Sequence, residues 1–160
     1  MKQLVMLFLM LAVCACSSID CPVDNTVSTQ YAICDASGAA AQLDDTLWVW
    51  TQRKDGNDTL LLNRGVGLKT FSLPISYDHP EDTLVFCVAD TLGHFAIDTV
   101  WLGKRDIPHF ESVDCAAHFF HELTNVRSTH RAIDTISINN PSVTYDQTVT
   151  HLQICFKAHQ

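Results

Sequence analysis

The chain is 160 residues long, with 18 acidic against 10 basic side chains and a formal net charge of −8. That balance leaves no electrostatic footprint for nucleic acid, which needs clustered Lys and Arg. The length allows one hydrophobic core of useful size and hardly two.

Residues 1–15 read as a lipoprotein signal peptide, 16–25 as a lipidated cysteine and its tether, and 26–160 as a single β-sandwich domain. Lys2 supplies a positive start, and residues 4–13 are an apolar run. Such a run is shorter than the roughly 20 residues a spanning helix needs. Val13-Cys14-Ala15-Cys16 resembles a bacterial lipobox, in which a small residue precedes a cysteine that becomes acylated. Cys14 is the weaker candidate because bulky Val13 would precede the cut, so Cys16 is the expected first residue of the mature protein. The alternative is an ordinary secretory signal with incidental cysteines. Palmitate-type chains on Cys16 would anchor the protein without a spanning helix, each buried methylene contributing about 0.8 kcal/mol. Removing Lys2 takes the charge to −9, so anionic lipid would repel the body and the acyl chains must do the anchoring. No strong acidic run follows Cys16, which favours the periplasmic side of the outer membrane.

Asp outnumbers Glu by 15 to 3. Glu suits helix interiors, whereas Asp competes with the backbone and suits turns and caps, so the imbalance points to strands and turns. Apolar and polar residues alternate over 27–34, 46–52, 59–62, 68–73, 83–89 and 95–102 and, after a connection containing Pro108, over 117–123, 132–138 and 149–156. Turn sequences separate these runs, among them Lys54-Asp55-Gly56-Asn57, Tyr77-Asp78-His79-Pro80 and Asn139-Asn140-Pro141-Ser142. The pattern predicts an all-β fold, an antiparallel sandwich of about 8–9 strands, immunoglobulin-like or a related Greek key.

Asp-Thr followed by an aliphatic residue recurs, most visibly in AIDTVWL over 96–102 and AIDTISI over 132–138. Residues two apart on a strand share a face, so Asp45 aligns with Leu47 and Val49, Asp82 with Leu84 and Phe86, and Asp134 with Ile136 and Ile138. Each carboxylate heads a core-facing row, where it can cap backbone N–H groups of the preceding turn. Catalytic carboxylates come as one pair at a fixed separation, so the repeated Asp reads as architecture.

An exported protein can form disulfides. Besides Cys16 the mature chain holds Cys21, Cys34, Cys87, Cys115 and Cys155. Connectivity cannot be read from spacing. Cys21 and Cys115 sit beside turn-like sequence and are the candidate pair, while Cys87 and Cys155 lie in strand-like runs, where small buried hydrophobes are the open alternative.

His118-Phe119-Phe120-His121-Glu122 is the most metal-like cluster. A helix would put both histidines on one face, but the stretch reads as a strand and matches neither zinc signature of the H-E-x-x-H kind. Asp55-Gly56-Asn57-Asp58 lacks the length and terminal Glu of an EF-hand loop and reads as a turn. No nucleophile elbow, phosphate loop or cofactor motif is present. Trp48 and Trp50 are the candidate ligand contact. They share a face opposite Leu47 and Val49, so if the aliphatic pair fills the core the indoles form a stacking platform for a sugar or a protein.

Three stretches carry a resemblance: Cys21-Pro22-Val23-Asp24-Asn25-Thr26-Val27, Phe71-Ser72-Leu73-Pro74-Ile75-Ser76-Tyr77 and His109-Phe110-Glu111-Ser112-Val113-Asp114-Cys115. With Phe120-His121, Thr129-His130 and Ile133-Asp134-Thr135-Ile136 they resemble a family of small Bacteroidota envelope lipoproteins of unknown function. The resemblance implies an envelope lipoprotein with an all-β body and brings no catalytic residues. It adds a little to the pairing of Cys21 with Cys115, which both fall inside these stretches. The leading expectation is a non-enzymatic accessory lipoprotein of the outer membrane that contacts another envelope protein. The alternative is a glycan- or small-ligand-binding lipoprotein using Trp48 and Trp50, and a metal-assisted enzyme through His118 and His121 comes third.

Overall fold

A computed structural model of the chain describes residues 27–52, 56–110, 112, 115 and 118–157. The strands are β1 (Ser28–Cys34), β2 (Thr46–Thr51), β3 (Thr59–Gly65), β4 (Thr70–Pro74), β5 (Glu81–Ala89), β6 (Phe95–His109), β7 (His118–Ser128), β8 (Ile133–Ile138), β9 (Ser142–Val143) and β10 (Leu152–Phe156). They form a four-stranded sheet, β4-β1-β10-β8, and a six-stranded sheet, β3-β2-β5-β6-β7-β9. The all-β sandwich expected from the alternation is the fold observed. The signal segment, Cys16 and Cys21 lie outside the described residues.

Alternation decides what each sheet turns inward. Tyr31 and Ile33 of β1, Leu73 of β4 and Leu152 and Ile154 of β10 come from the smaller sheet. Leu47 and Val49 of β2, Leu84, Phe86 and Val88 of β5, and Val100 and Leu102 of β6 come from the larger. At the centre the Tyr31 ring stacks on Phe71 at 4.7 Å, and Phe86 meets Phe71 edge-on at 6.3 Å. Aromatic pairs of this geometry add about 0.5–1.5 kcal/mol to the area they bury.

The Asp residues answer for the turns. Asp35 accepts the Ser37 and Ala39 N–H groups, and Asp90 accepts those of Leu92 and His94. Asp82 accepts the Ser76 N–H and hydroxyl. Asp98 of AIDTVWL goes further, since its side chain is fully buried. Its Oδ1 accepts the Thr129 hydroxyl at 2.5 Å and the Arg131 N–H at 2.7 Å. Its Oδ2 accepts the Ala132 and Ile133 N–H groups at 2.7 and 2.8 Å. One carboxylate thus organises residues 129–133, the crossing from β7 in one sheet to β8 in the other. Burial would push its acidity constant up, but the Arg131 N–H, the Thr129 hydroxyl and the Ile133 and Ala132 N–H groups outweigh it and hold the carboxyl below its ordinary range.

Four features differ from the sequence reading. The sandwich is not wholly antiparallel, because β1 and β10 pair in parallel. Cys155 is not a free buried thiol: it is bonded to Cys34, its register partner across that parallel pair, with Cα atoms 4.5 Å apart. Strand β6 does not stop at Leu102 but runs to His109, through Pro108. Beyond Gly103 it has left β5 behind and pairs only with β7, so Pro108 breaks no ladder on its other side. Asp134 caps no turn through a side-chain bond of the expected kind. It sits exposed where β8 slips register against β10, between the Thr135–Cys155 and Ile133–Phe156 pairs.

Replacing Asp98 by Asn removes the charge and turns an NH2 group towards N–H donors, which should cost about 2–4 kcal/mol in urea unfolding. The folded Asp98 binds its proton less tightly than the unfolded one, whose ordinary value is about 3.9. Its stabilisation should therefore be complete above that value and be lost as pH falls through the folded one. The variant should show a correspondingly flatter acid limb.

The Cys34–Cys155 bridge spans a sequence separation of 121. Closing so long a loop restricts the unfolded chain, and the paired Cys34→Ala/Cys155→Ala variant should lose about 2–4 kcal/mol by the same measurement.

Candidate functional site

Strand register fixes what the six-stranded sheet shows on its outer side. Partners across an antiparallel ladder lie on one face. Trp48 pairs with Cys87 and Cys87 with Ile97, giving one row. Leu60, Trp50, Val85 and Thr99 form the next, and Thr83, Trp101 and Arg127 a third. At the hairpin end Ala89 pairs with Phe95. All three tryptophans of the chain therefore share one face with Ile97, Leu60 and Phe95, across four adjacent strands.

Leu47 and Val49 face the core and are fully buried, while Trp48 and Trp50 are half-buried on the other side. Leu60, Phe95 and Ile97 are exposed, and Val85 is buried beside Trp50 in its row. Trp101 carries a cation over its ring, with the Arg127 guanidinium carbon 4.1 Å from the centroid. Arg127 also donates to Glu81 at 3.0 Å, so a charged pair bounds the apolar surface on one side. Stacking of this kind is worth about 0.5–1 kcal/mol at an exposed site. Cys87 lies within the Trp48 row, and burial pushes its thiol up, away from the reactive thiolate.

The sequence singled out Trp48 and Trp50 and missed Trp101. The signal was in AIDTVWL itself: if Asp98, Val100 and Leu102 face inward, Trp101 must face outward with Thr99. Cys115 is disulfide-bonded, and its expected partner Cys21 lies outside the described residues, as does Cys16.

His118 and His121 stand on β7, opposite His109 and Asp106 respectively, and three residues apart on a strand face opposite ways. Both are buried. The His118 ring meets Tyr145 edge-on at 6.5 Å, and His121 Nδ1 is 2.7 Å from Asp106 Oδ1. Lys104 completes the second arrangement. Its ammonium, fully buried, donates to the His79 carbonyl at 2.6 Å and to Asp106 at 3.0 Å. Burial pushes the His121 imidazole down against the pull of the Asp106 carboxylate, leaving a neutral ring beside a Lys–Asp pair. The cluster ties the loop before β5 to the long arm of β6 and β7. Among the described residues no three His, Cys, Asp or Glu side chains converge as a metal site.

A groove of about 580 Å³ opens at the β5–β6 hairpin end, with Val88, Phe95, Ala132 and Phe156 in its wall and Arg131 and Asp134 among its charges. Its charges are of both signs and select no ligand class.

Because the indoles face outward, acrylamide should quench all three tryptophans to an extent between a free indole and a core one. Trp50→Ala should cost under about 1.5 kcal/mol, against about 3–5 for Phe86→Ala in the core. Protected indoles or a core-sized loss would remove the platform.

No curated protein and no solved structure matches the chain. A family match runs over residues 46–156, from the first residue of β2 to the last of β10, and by it this chain belongs to DUF6452, a family of unknown function.

Proposed function

We propose that this chain is a non-enzymatic accessory lipoprotein of the cell envelope, held to the outer membrane through Cys16, facing the periplasm, and binding another envelope protein. The observation that carries the reading is the outer face of the six-stranded sheet, where Trp48, Trp50, Trp101 and Ile97 share one apolar surface with a charged pair at one border. Contiguous apolar surfaces rimmed by polar residues mark interaction sites. Trp and Arg are the residues over-represented at the energetic centres of protein interfaces.

Support for the anchor comes from the sequence, from Lys2, the apolar run and the Val13-Cys14-Ala15-Cys16 stretch. The resemblance to Bacteroidota envelope lipoproteins points the same way. Three disulfide-bonded cysteines in the body, Cys34, Cys155 and Cys115, accord with an oxidising compartment.

A glycan would use the same indoles. Sugar recognition also needs polar side chains beside the stacking rings, and the charged pair of this face flanks Trp101 rather than Trp48. A protein partner with its own apolar surface fits the face better.

Affinity purification of the lipidated protein from detergent-solubilised envelopes should recover a stoichiometric protein partner. Trp48→Ala/Trp50→Ala should reduce its recovery at least tenfold while leaving the fold intact. Repeated recovery of the wild-type chain alone would overturn the reading, and signal on a glycan array abolished by Trp50→Ala would replace it with the alternative.

A further inference from the structure

The two ends of the sandwich are not alike. One is the β5–β6 hairpin, where Cys34, Asp35 and the residues around Phe95 lie. At the other end the chain enters the fold. Val27 precedes β1 there, and its carbonyl accepts the Ile75 N–H, while Ser28 pairs with Pro74. Two residues beyond Ile75, the Tyr77 ring stacks on Phe119 at 5.7 Å. Phe119 pairs with Pro108, two residues before Phe110. Val27, Tyr77 and Phe110 thus belong to one end of the molecule, reached through three consecutive contacts.

That end is aromatic and outward-facing. Tyr77 is 67% exposed, Phe110 66% and Ile107 42%. It is also stiff. His109 stacks on Phe120 at 4.2 Å, Phe120 meets Tyr145 edge-on at 4.9 Å, and the buried Lys104 ammonium holds the His79 carbonyl. Exposed apolar rings on a preorganised support lose little freedom on docking. Tyr, with an apolar ring and a polar tip, is suited to the boundary between lipid and water.

We infer that this end is a membrane-contacting tip that rests Tyr77, Ile107 and Phe110 in the interfacial layer of the bilayer to which the chain is anchored. The inference rests on the proposed lipidation of Cys16. Cys16 lies 11 residues before Val27, and a chain of that length reaches at most about 40 Å. The near end, where Val27 enters the fold, can meet the bilayer at a small fraction of that span. The hairpin end, with its own exposed Leu92 and Phe95, would need the tether drawn out along the body. The net charge of the body opposes a purely electrostatic contact with anionic lipid, so the occupant is a bilayer surface engaged through apolar rings. With the tip docked, the sheet stands away from the bilayer and the Trp48 face looks sideways along it.

The test is hydrogen exchange of the mature lipidated protein on zwitterionic phosphatidylcholine vesicles, with the unlipidated Cys16→Ser protein in buffer as reference. Flotation with the vesicles, together with at least fivefold slower exchange over residues 75–80 and 105–110, is expected. A lipidated Tyr77→Asp/Phe110→Asp variant should still float, keep its tryptophan emission and lose that protection. Flotation of the wild type without protection at these residues would overturn the tip and leave the anchor standing. Protection over residues 46–51 and 95–101 instead would overturn it in favour of a bilayer-facing sheet. Failure of the wild type to float would overturn tip and anchor together.

Discussion

The buried carboxylate of Asp98 is the constraint on which the fold turns. A sandwich needs its chain to cross between layers, and a crossing carries backbone N–H groups that neither sheet can satisfy. Here one side chain from the middle of the larger sheet accepts three of them and a hydroxyl. The ionised form is held inside because the donors converge on it, which turns a costly buried charge into the fastening of residues 129–133. With that crossing fixed, β8 is delivered beside β10, and the smaller sheet closes over the core.

The larger sheet carries large apolar side chains on both faces, which is uneconomical for a protein that stands alone in water. Its inner face builds the core. Its outer face gathers Trp48, Trp50, Trp101, Ile97 and Leu60 where alternation would ordinarily place polar residues. The stability of the sandwich does not require them there, since Leu47, Val49, Phe86 and Val100 already fill the inner side. Their placement makes sense as a surface kept for something else.

Much of this was legible in the sequence, and the failures have physical reasons. Period-two alternation gave most strands and the inward set of β2 and β5. At Asp82, Asp90 and Asp98 the Asp-Thr repeats are structural, because a carboxylate beside a turn has local donors to find. Asp134 departs from that pattern because a register slip, invisible in one strand alone, moves it out of line. The far half of β6 was hidden by Pro108, which sequence reads as a break until the missing neighbour strand makes it harmless. The two-residue β9 carries too few positions to show any period. Pairing of Cys34 with Cys155 depends on β1 and β10, from opposite ends of the chain, lying side by side, and no local signal encodes that. Trp48 and Trp50 were visible as a pair. The breadth of the face was not, because it is assembled from the registers of four strands.

The parallel pairing of β1 with β10 has a mechanical side. A pull that reaches Val27 runs along β1, loading its hydrogen bonds to β4 and β10 in shear, where they yield together rather than one at a time. If the strand did slide, unravelling could proceed only as far as Cys34, where the bond to Cys155 passes the load to the last strand of the fold. The strand thus behaves as a rope knotted at Cys34, and a fold loaded through β1 can be tugged without being unspooled.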